Sequence, residues 1–223
     1  MKELTAPGIL DKFRNIKSEV RNFLKLKNKI ALDIGCEYPH QLVSLYHDIG
    51  FDRCFGFEKY SEIKSIESHK IRNANLPNLN YLSIYEIYKA EFLPDSCDIQ
   101  ERRKLLCEDE FKNIINVNYG VEYPNVTTIN GYSEFDLVIL SNCLFKNSKI
   151  KYLPMLTAAK KNLKSNGILY VQVSHQSREG HEENFSSNDF HNLFHDLKEI
   201  HFNDYVKFDR QNYYMVYLGQ KTK

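Results

Sequence analysis

Residues 31-ALDIGCEYPH-40 decide how the rest of the chain is read. The run 29-KIALD-33 has the character of a short buried strand, and Gly35 then opens a turn that ends at Pro39. Proline suits the first position of a following helix, because the N–H it lacks would have no partner there anyway. Two readings stand at this point. The turn either cradles a ligand with most of its glycines gone, or it is the plain exit of a strand into a helix.

The flanking sequence alternates in period. Downstream, Leu42, Val43, Leu45, Tyr46 and Ile49 form a helical stripe closed by Gly50, and 53-RCFGFE-58 is a strand that ends on an acid. Helix-like sequence follows from 61 to 73. Upstream, Ile9, Leu10, Phe13, Ile16, Val20, Phe23 and Leu24 recur at helical spacing behind Pro7 and Gly8. Val126 to Asn130 reads as a strand, and 135-FDLVILSN-142 as a strongly buried one. Leu153, Leu156, Ala159 and Leu163 give a helix face, with Pro154 in the first turn and Gly167 as the stop. The strand 168-ILYVQVSH-175 comes next. Phe190, Leu193, Phe194 and Leu197 then mark a helix behind the capping candidates Ser187 and Asn188. Runs 200–208 and 213–219 close the chain as an antiparallel hairpin.

Strand and helix in alternation predict one α/β domain over 1–223, a three-layer αβα sandwich on a mostly parallel sheet. The acidic-leaning stretch of about 76–123 reads as a helical insertion between core strands, too long for an ordinary connection. Its function is either a lid or partner surface, or mere solvated decoration.

Composition narrows the class. With 42% hydrophobic and 26% charged residues the chain has the make-up of a soluble globular protein. A net charge of +1 argues against a generally electrostatic nucleic-acid binder. The basic residues of 12–27 and 160–164 are explained as well by solvated helix surface. Five cysteines form no CxxC pair, which favours packed thiols over a metal site and a reducing compartment over an oxidising one. "MKELTAPGIL" has no apolar signal core, and the apolar runs are too short for a membrane span, so the expected location is the cytoplasm.

In open α/β sheets, ligands bind beyond the carboxyl ends of the strands. Here those ends are Asp33 to Glu37, Glu58, Asn130 to Tyr132, Ser141 to Cys143, and Ser174 to His175. Glu58 stands 23 positions after Gly35, close to the ~20 that separate a glycine turn from a ribose-binding acid. A carboxylate at that place can accept hydrogen bonds from both ribose hydroxyls. The rival is an acid that ends a strand in solvent.

The ordered set "ALDIGCE", "FGFEKY", "INGYSEFDLVILSN" and "LKSNGILYVQV" resembles the class I S-adenosylmethionine-dependent methyltransferases, over roughly 29–219. The resemblance implies a seven-stranded sheet with an antiparallel last strand and S-adenosyl-L-methionine as cofactor. It implies a cofactor site of Asp33, Gly35, Cys36, Glu37, Glu58, Lys59, Asn130, Gly131, Tyr132 and Ser141, with Asn130 against the adenine. Only the first of the family's three turn glycines is present; Glu37 and Pro39 replace the others. A cationic sulfonium ligand welcomes such acids, whereas a dinucleotide pyrophosphate would be repelled by them, so a nicotinamide-dependent oxidoreductase fits less well. The "SNCL" after the fourth strand departs from the N-P-P-Y motif of amino-methyltransferases. The implied activity is methyl transfer to an acceptor, a small molecule first, with nucleic acid or protein left open. His175, His181 and Asn142 are candidates for catalysis, each of which also reads as an ordinary surface or hydrogen-bonding residue. The alternative is a non-catalytic methyltransferase-like binding or scaffold protein.

Overall fold

The computed structural model describes residues 23, 25–36, 40–58, 85, 106–119, 123, 131–141, 149–176, 186–207 and 212–222. The expected helix of 9–24 apart from Phe23, the helix of 61–73, the strand of 126–130 and most of the 76–123 stretch lie outside the described residues. Seven strands form one sheet: β1 Ile30–Ile34, β2 Arg53–Glu58, β3 Ile115–Tyr119, β4 Phe135–Ser141, β5 Leu163–Gln176, β6 Leu197–Lys207 and β7 Asn212–Lys221. Their order is β3-β2-β1-β4-β5-β7-β6. The first five run parallel, and β7 lies antiparallel to both β5 and β6. This is the expected sandwich.

Period-two alternation sends side chains to two apolar layers. One layer collects Leu32, Ile34, Phe55, Phe57, Val138, Leu140, Leu169 and Val171 under two helices, α3 Lys149–Lys161 and α4 Ser187–Leu193. The other collects Ala31, Cys54, Leu137, Ile139, Ile168 and Tyr170 under α1 His40–Ser44 and α2 Glu108–Ile114. Leu42 and Val43 of α1 and Phe111 of α2 supply the cover. β1 is buried along its whole length, as a central parallel strand must be.

Four expectations shift. Ile115–Tyr119, expected in the helical insertion, is the edge strand β3, and α2 runs into it without a break: the helix cap Ile115 is already extended at φ −116° and ψ 109°. The helix after Gly50's predecessor stripe widens into a π turn over Leu45–Ile49. Gly50, at φ +76°, then donates to the Tyr46 carbonyl at 3.2 Å and Phe51 to that of Leu45 at 3.1 Å. Pro154 sits inside α3 rather than in its first turn, on an exposed side that it shares with Leu153. Gly167 is not a helix stop. The α3 helix ends at Lys161, and residues 164–167 bulge out between the Phe135–Leu163 and Leu137–Ile168 pairs. A Cβ on Gly167 would come within 2.9 Å of the Lys164 carbonyl and 3.0 Å of that of Phe135, which explains the glycine.

The α4 cap is Ser186, one residue before the expected candidates, in a reciprocal box with Asp189. Phe190 and Phe194 are buried against Tyr217, with ring centroids 6.1 and 4.8 Å away. No helix among the described residues is long and apolar enough to cross a membrane.

Candidate functional site

Parallel pairing brings the carboxyl ends of β1, β2, β3 and β4 to one edge. Ile34 pairs with Phe57 and with Leu140, Glu58 with Tyr119, and Ser141 with Gln172 of β5. The turn after β1 is stitched to this edge. Gly35, at φ +73°, donates its N–H to the Phe57 carbonyl at 2.8 Å, and Cys36 donates to the same oxygen at 3.1 Å. A positive φ of this size is the region only glycine enters freely. The residue after Phe57 is Glu58, so turn and acid are held side by side by one carbonyl.

Gly56 explains the next detail. A Cβ on it would lie 2.5 Å from the Cys36 Sγ and 3.1 Å from Leu42 Cδ1. The buried Cys36 thiol therefore occupies the place of a side chain on β2 and pins the turn to the sheet. Gly56 was not singled out from the sequence, although a glycine inside an apolar strand is a standing sign of close approach.

Both acids are withdrawn from bulk water, Asp33 at 0% exposure and Glu58 at 5%. By strand alternation, Asp33, Glu58 and Ser141 share the face covered by α1. Among the described residues of this edge there is no lysine or arginine. The buried Lys29 lies at the opposite end of β1. Asp33 makes itself felt nearby: burial first, and its negative charge second, push the Cys54 thiol and the Tyr170 hydroxyl well above their usual ranges. Cys54 is thus an inert core thiol.

Tyr170 and Gln172 of β5 were not picked out from the sequence. Both are 1% exposed, and the tyrosine hydroxyl donates to Gln172 Oε1 at 2.6 Å. The available signal was a glutamine in the middle of the apolar run 168–173.

Other expected members separate from the edge. The ring of Tyr132 packs 5.4 Å from Phe55, with the Arg53 guanidinium 5.7 Å above it. Arg53 is the first residue of β2 and Glu58 the last, so about 16 Å of strand lies between the two levels. Gly131 and Tyr132 lead into β4 at the amino end of the sheet. The third described strand is Ile115–Tyr119, whose carboxyl end is Tyr119. Ser141 stands half-buried where expected. His175 lies within β5 opposite Tyr213. Glu37, Lys59, Asn130, Asn142 and His181 lie outside the described residues.

No protein-family model and no curated protein sequence matches the chain. Solved structures do. One is a candidate sarcosine dimethylglycine methyltransferase from Galdieria sulphuraria, at TM-score 0.58 and 11% identity, covering 96% of this chain and 86% of that one. Another is the N-methyltransferase NodS from Bradyrhizobium japonicum, at 0.53 and 12%, covering 96% and 97%. A third is the magnesium protoporphyrin IX methyltransferase from Synechocystis with bound S-adenosylmethionine, at 0.54 and 11%, covering 96% and 81%. At such identities the likeness shows the fold.

Proposed function

We propose that this chain, which has the fold of the class I S-adenosylmethionine-dependent methyltransferases, binds S-adenosyl-L-methionine at the carboxyl edge of its sheet and transfers the methyl group to a small-molecule acceptor. One observation carries the reading: Glu58 and the Gly35 turn meet at the Phe57 carbonyl. The charge of the edge supports it. Two buried acids, Asp33 and Glu58, with no described lysine or arginine beside them, suit a cationic ligand and would repel a pyrophosphate.

When bound, the cofactor supplies an electrophilic methyl group on a positive sulfur. Glu58 accepts hydrogen bonds from the ribose hydroxyls and so fixes the nucleoside. The Gly35 turn, at φ +73°, lets backbone come close, and Asp33 lies buried two residues before it. Glu37 and Lys59 join the proposed site on the sequence alone, and so does Asn142. The end of β4 at Ser141 is the side proposed for the acceptor. Displacement in line needs alignment more than acid–base help. Where the nucleophile must lose a proton, His175 on β5 is the proposed base, and His181 the second candidate. The packed thiols of Cys36 and Cys54, both buried, support the reducing, cytoplasmic setting read from the sequence.

Methyl-labelled S-adenosylmethionine, incubated with the protein and separately with metabolite, RNA and protein fractions, tests the assignment. Label is expected in the metabolite fraction. Retained binding of S-adenosylhomocysteine with label in no fraction would favour the non-catalytic binding protein, the reading that the two replaced turn glycines support.

A further inference from the structure

The strands of the sheet end at two different heights. β4 stops at Ser141, which pairs with Gln172 of β5. β5 runs on past that level to Gln176, and β7 stays paired with it as far as Gln176 opposite Asn212. β6 keeps step, with Val206 opposite Tyr214 and Lys207 opposite Tyr213. At about 3.3 Å per residue, β5 with β7 projects roughly 13 Å beyond the level of Ser141. The sheet therefore steps up from the edge that holds Asp33 and Glu58 to a wall made of β5, β7 and β6.

The residue types change along the wall. Val171 and Val173 of β5, with Met215 and Tyr217 of β7, belong to the apolar layer under α3 and α4. The next position on that face falls to His175 on β5, Tyr213 on β7 and Lys207 on β6, one lateral row across three adjacent strands. Imidazole, phenol and ammonium can all donate hydrogen bonds. Asp204, the nearest acid of β6, falls in the bulge between the Asn203 and Val206 pairs and outside the row. Distance keeps the row's charge from being cancelled. Strands lie about 4.8 Å apart, so β6 is roughly 19 Å from β1 and roughly 24 Å from β2. Both spans exceed the about 8 Å over which salt screens exposed charges, so Asp33 and Glu58 do not neutralise Lys207.

By alternation the row lies on the α3 and α4 face, whereas Asp33 and Glu58 lie on the α1 face. In-line displacement needs the attacking atom and the sulfur on opposite sides of the methyl carbon, and residues on opposite faces that meet over the end of β4 provide that alignment. We infer that the projecting end of β5, β7 and β6 is the acceptor wall of the site, and that the row His175, Tyr213 and Lys207 selects an anionic small molecule. This rests on the cofactor site proposed above. His175, on the strand next to β4, stands at the reacting end. Lys207, two strands farther out, takes the acidic group, roughly 10 Å away.

The test uses the full chain and methyl-labelled S-adenosylmethionine. A metabolite fraction is divided on an anion exchanger, before the reaction, into an anionic part and a neutral-plus-cationic part. Each part is incubated with the wild type, Lys207→Gln and Lys207→Arg. Label is expected in products of the anionic part. Lys207→Gln should cut the label transferred at sub-saturating acceptor at least about tenfold, as expected for a lost hydrogen bond to a charged group, with S-adenosylhomocysteine affinity and Tm unchanged. Lys207→Arg keeps the charge and should retain most of the transfer. Label from the neutral-plus-cationic part, in RNA or in protein, or equal transfer by the wild type and Lys207→Gln, overturns the inference. Label in no fraction, from a wild type that binds S-adenosylhomocysteine, overturns it too and leaves the cofactor site standing. A wild type that does not bind S-adenosylhomocysteine overturns the cofactor site itself, and the inference with it.

Discussion

The two ends of the same sheet are built on different terms. At the amino end, opposite charges meet and stay. The Asp136 carboxylate accepts from the Ile30 N–H and from Lys164 Nζ, each at 2.8 Å. Asn162 accepts from the Tyr123 hydroxyl at 2.5 Å and donates to the Ser133 carbonyl at 2.6 Å. Lys221 Nζ donates to the Leu163 carbonyl at 2.6 Å. Lys29, buried, sits 5.3 Å over the Phe51 ring and donates to the Ile49 carbonyl. At the carboxyl end of β1 and β2 the described charged groups are acids, the turn is glycine, and a thiol replaces a side chain so that backbone can come close. Among the described residues, one end is cross-linked by ion pairs and hydrogen bonds, and the other gathers the acids of the proposed site. On the proposed function, stability and binding sit in separate places on a single set of strands.

Substitutions should respect that separation. Gly35→Val puts a branched residue at φ +73°, and the strained turn should weaken S-adenosylhomocysteine by about 100-fold, read by calorimetry, with little change in Tm. Asp136→Ala should do the reverse. It strips the acceptor from a buried N–H and the partner from Lys164, so unfolding by urea should show a loss of about 2 kcal/mol while ligand affinity holds. If Asp136→Ala abolished binding instead, the two ends would not be independent.

Gly56→Ala makes the comparison finer. Its Cβ would collide with the Cys36 thiol, and overpacking of this kind costs about 1–3 kcal/mol. Weaker ligand binding is expected, with recovery in the Gly56→Ala/Cys36→Ala pair. No recovery would mean that the thiol does not set the turn. The smallest effect is alkaline. Tyr123, Tyr170 and Tyr217 have hydroxyls raised by burial, so they hold their protons when the exposed tyrosines ionise. Because the folded state raises these values above the unfolded one, their contribution to stability is complete below about pH 10 and is lost above it. Absorbance titration should show at least these three tyrosines ionising only as the chain unfolds; ionisation of every tyrosine in the native protein would contradict the burial.

How much of this was readable from the chain follows from the physics of each piece. β1, β2 and β4 are short apolar runs ended by polar residues, and they were found within a residue or two. The closing hairpin was found as well, because alternation is strong in "YYMVYLG". β3 was missed: "INVNY" follows directly on the helical "FKNI", with no glycine or proline at the junction to mark the change. The adenine expectation for Asn130, Gly131 and Tyr132 came from a strand at 126–130, which lies outside the described residues. Asp33, Gly35 and Glu58 were readable because strand ends expose their type. Gly56 with Cys36, and Tyr170 with Gln172, were not, since each depends on a neighbour across the sheet or along its face.

The most direct test of the central claim is calorimetric titration of the wild-type protein and of Glu58→Ala with S-adenosylmethionine. The account predicts micromolar binding by the wild type and a loss of about 100-fold in the variant, the size expected for charge-assisted hydrogen bonds to both ribose hydroxyls. An absence of binding at millimolar ligand, or equal binding by the two proteins, would contradict it.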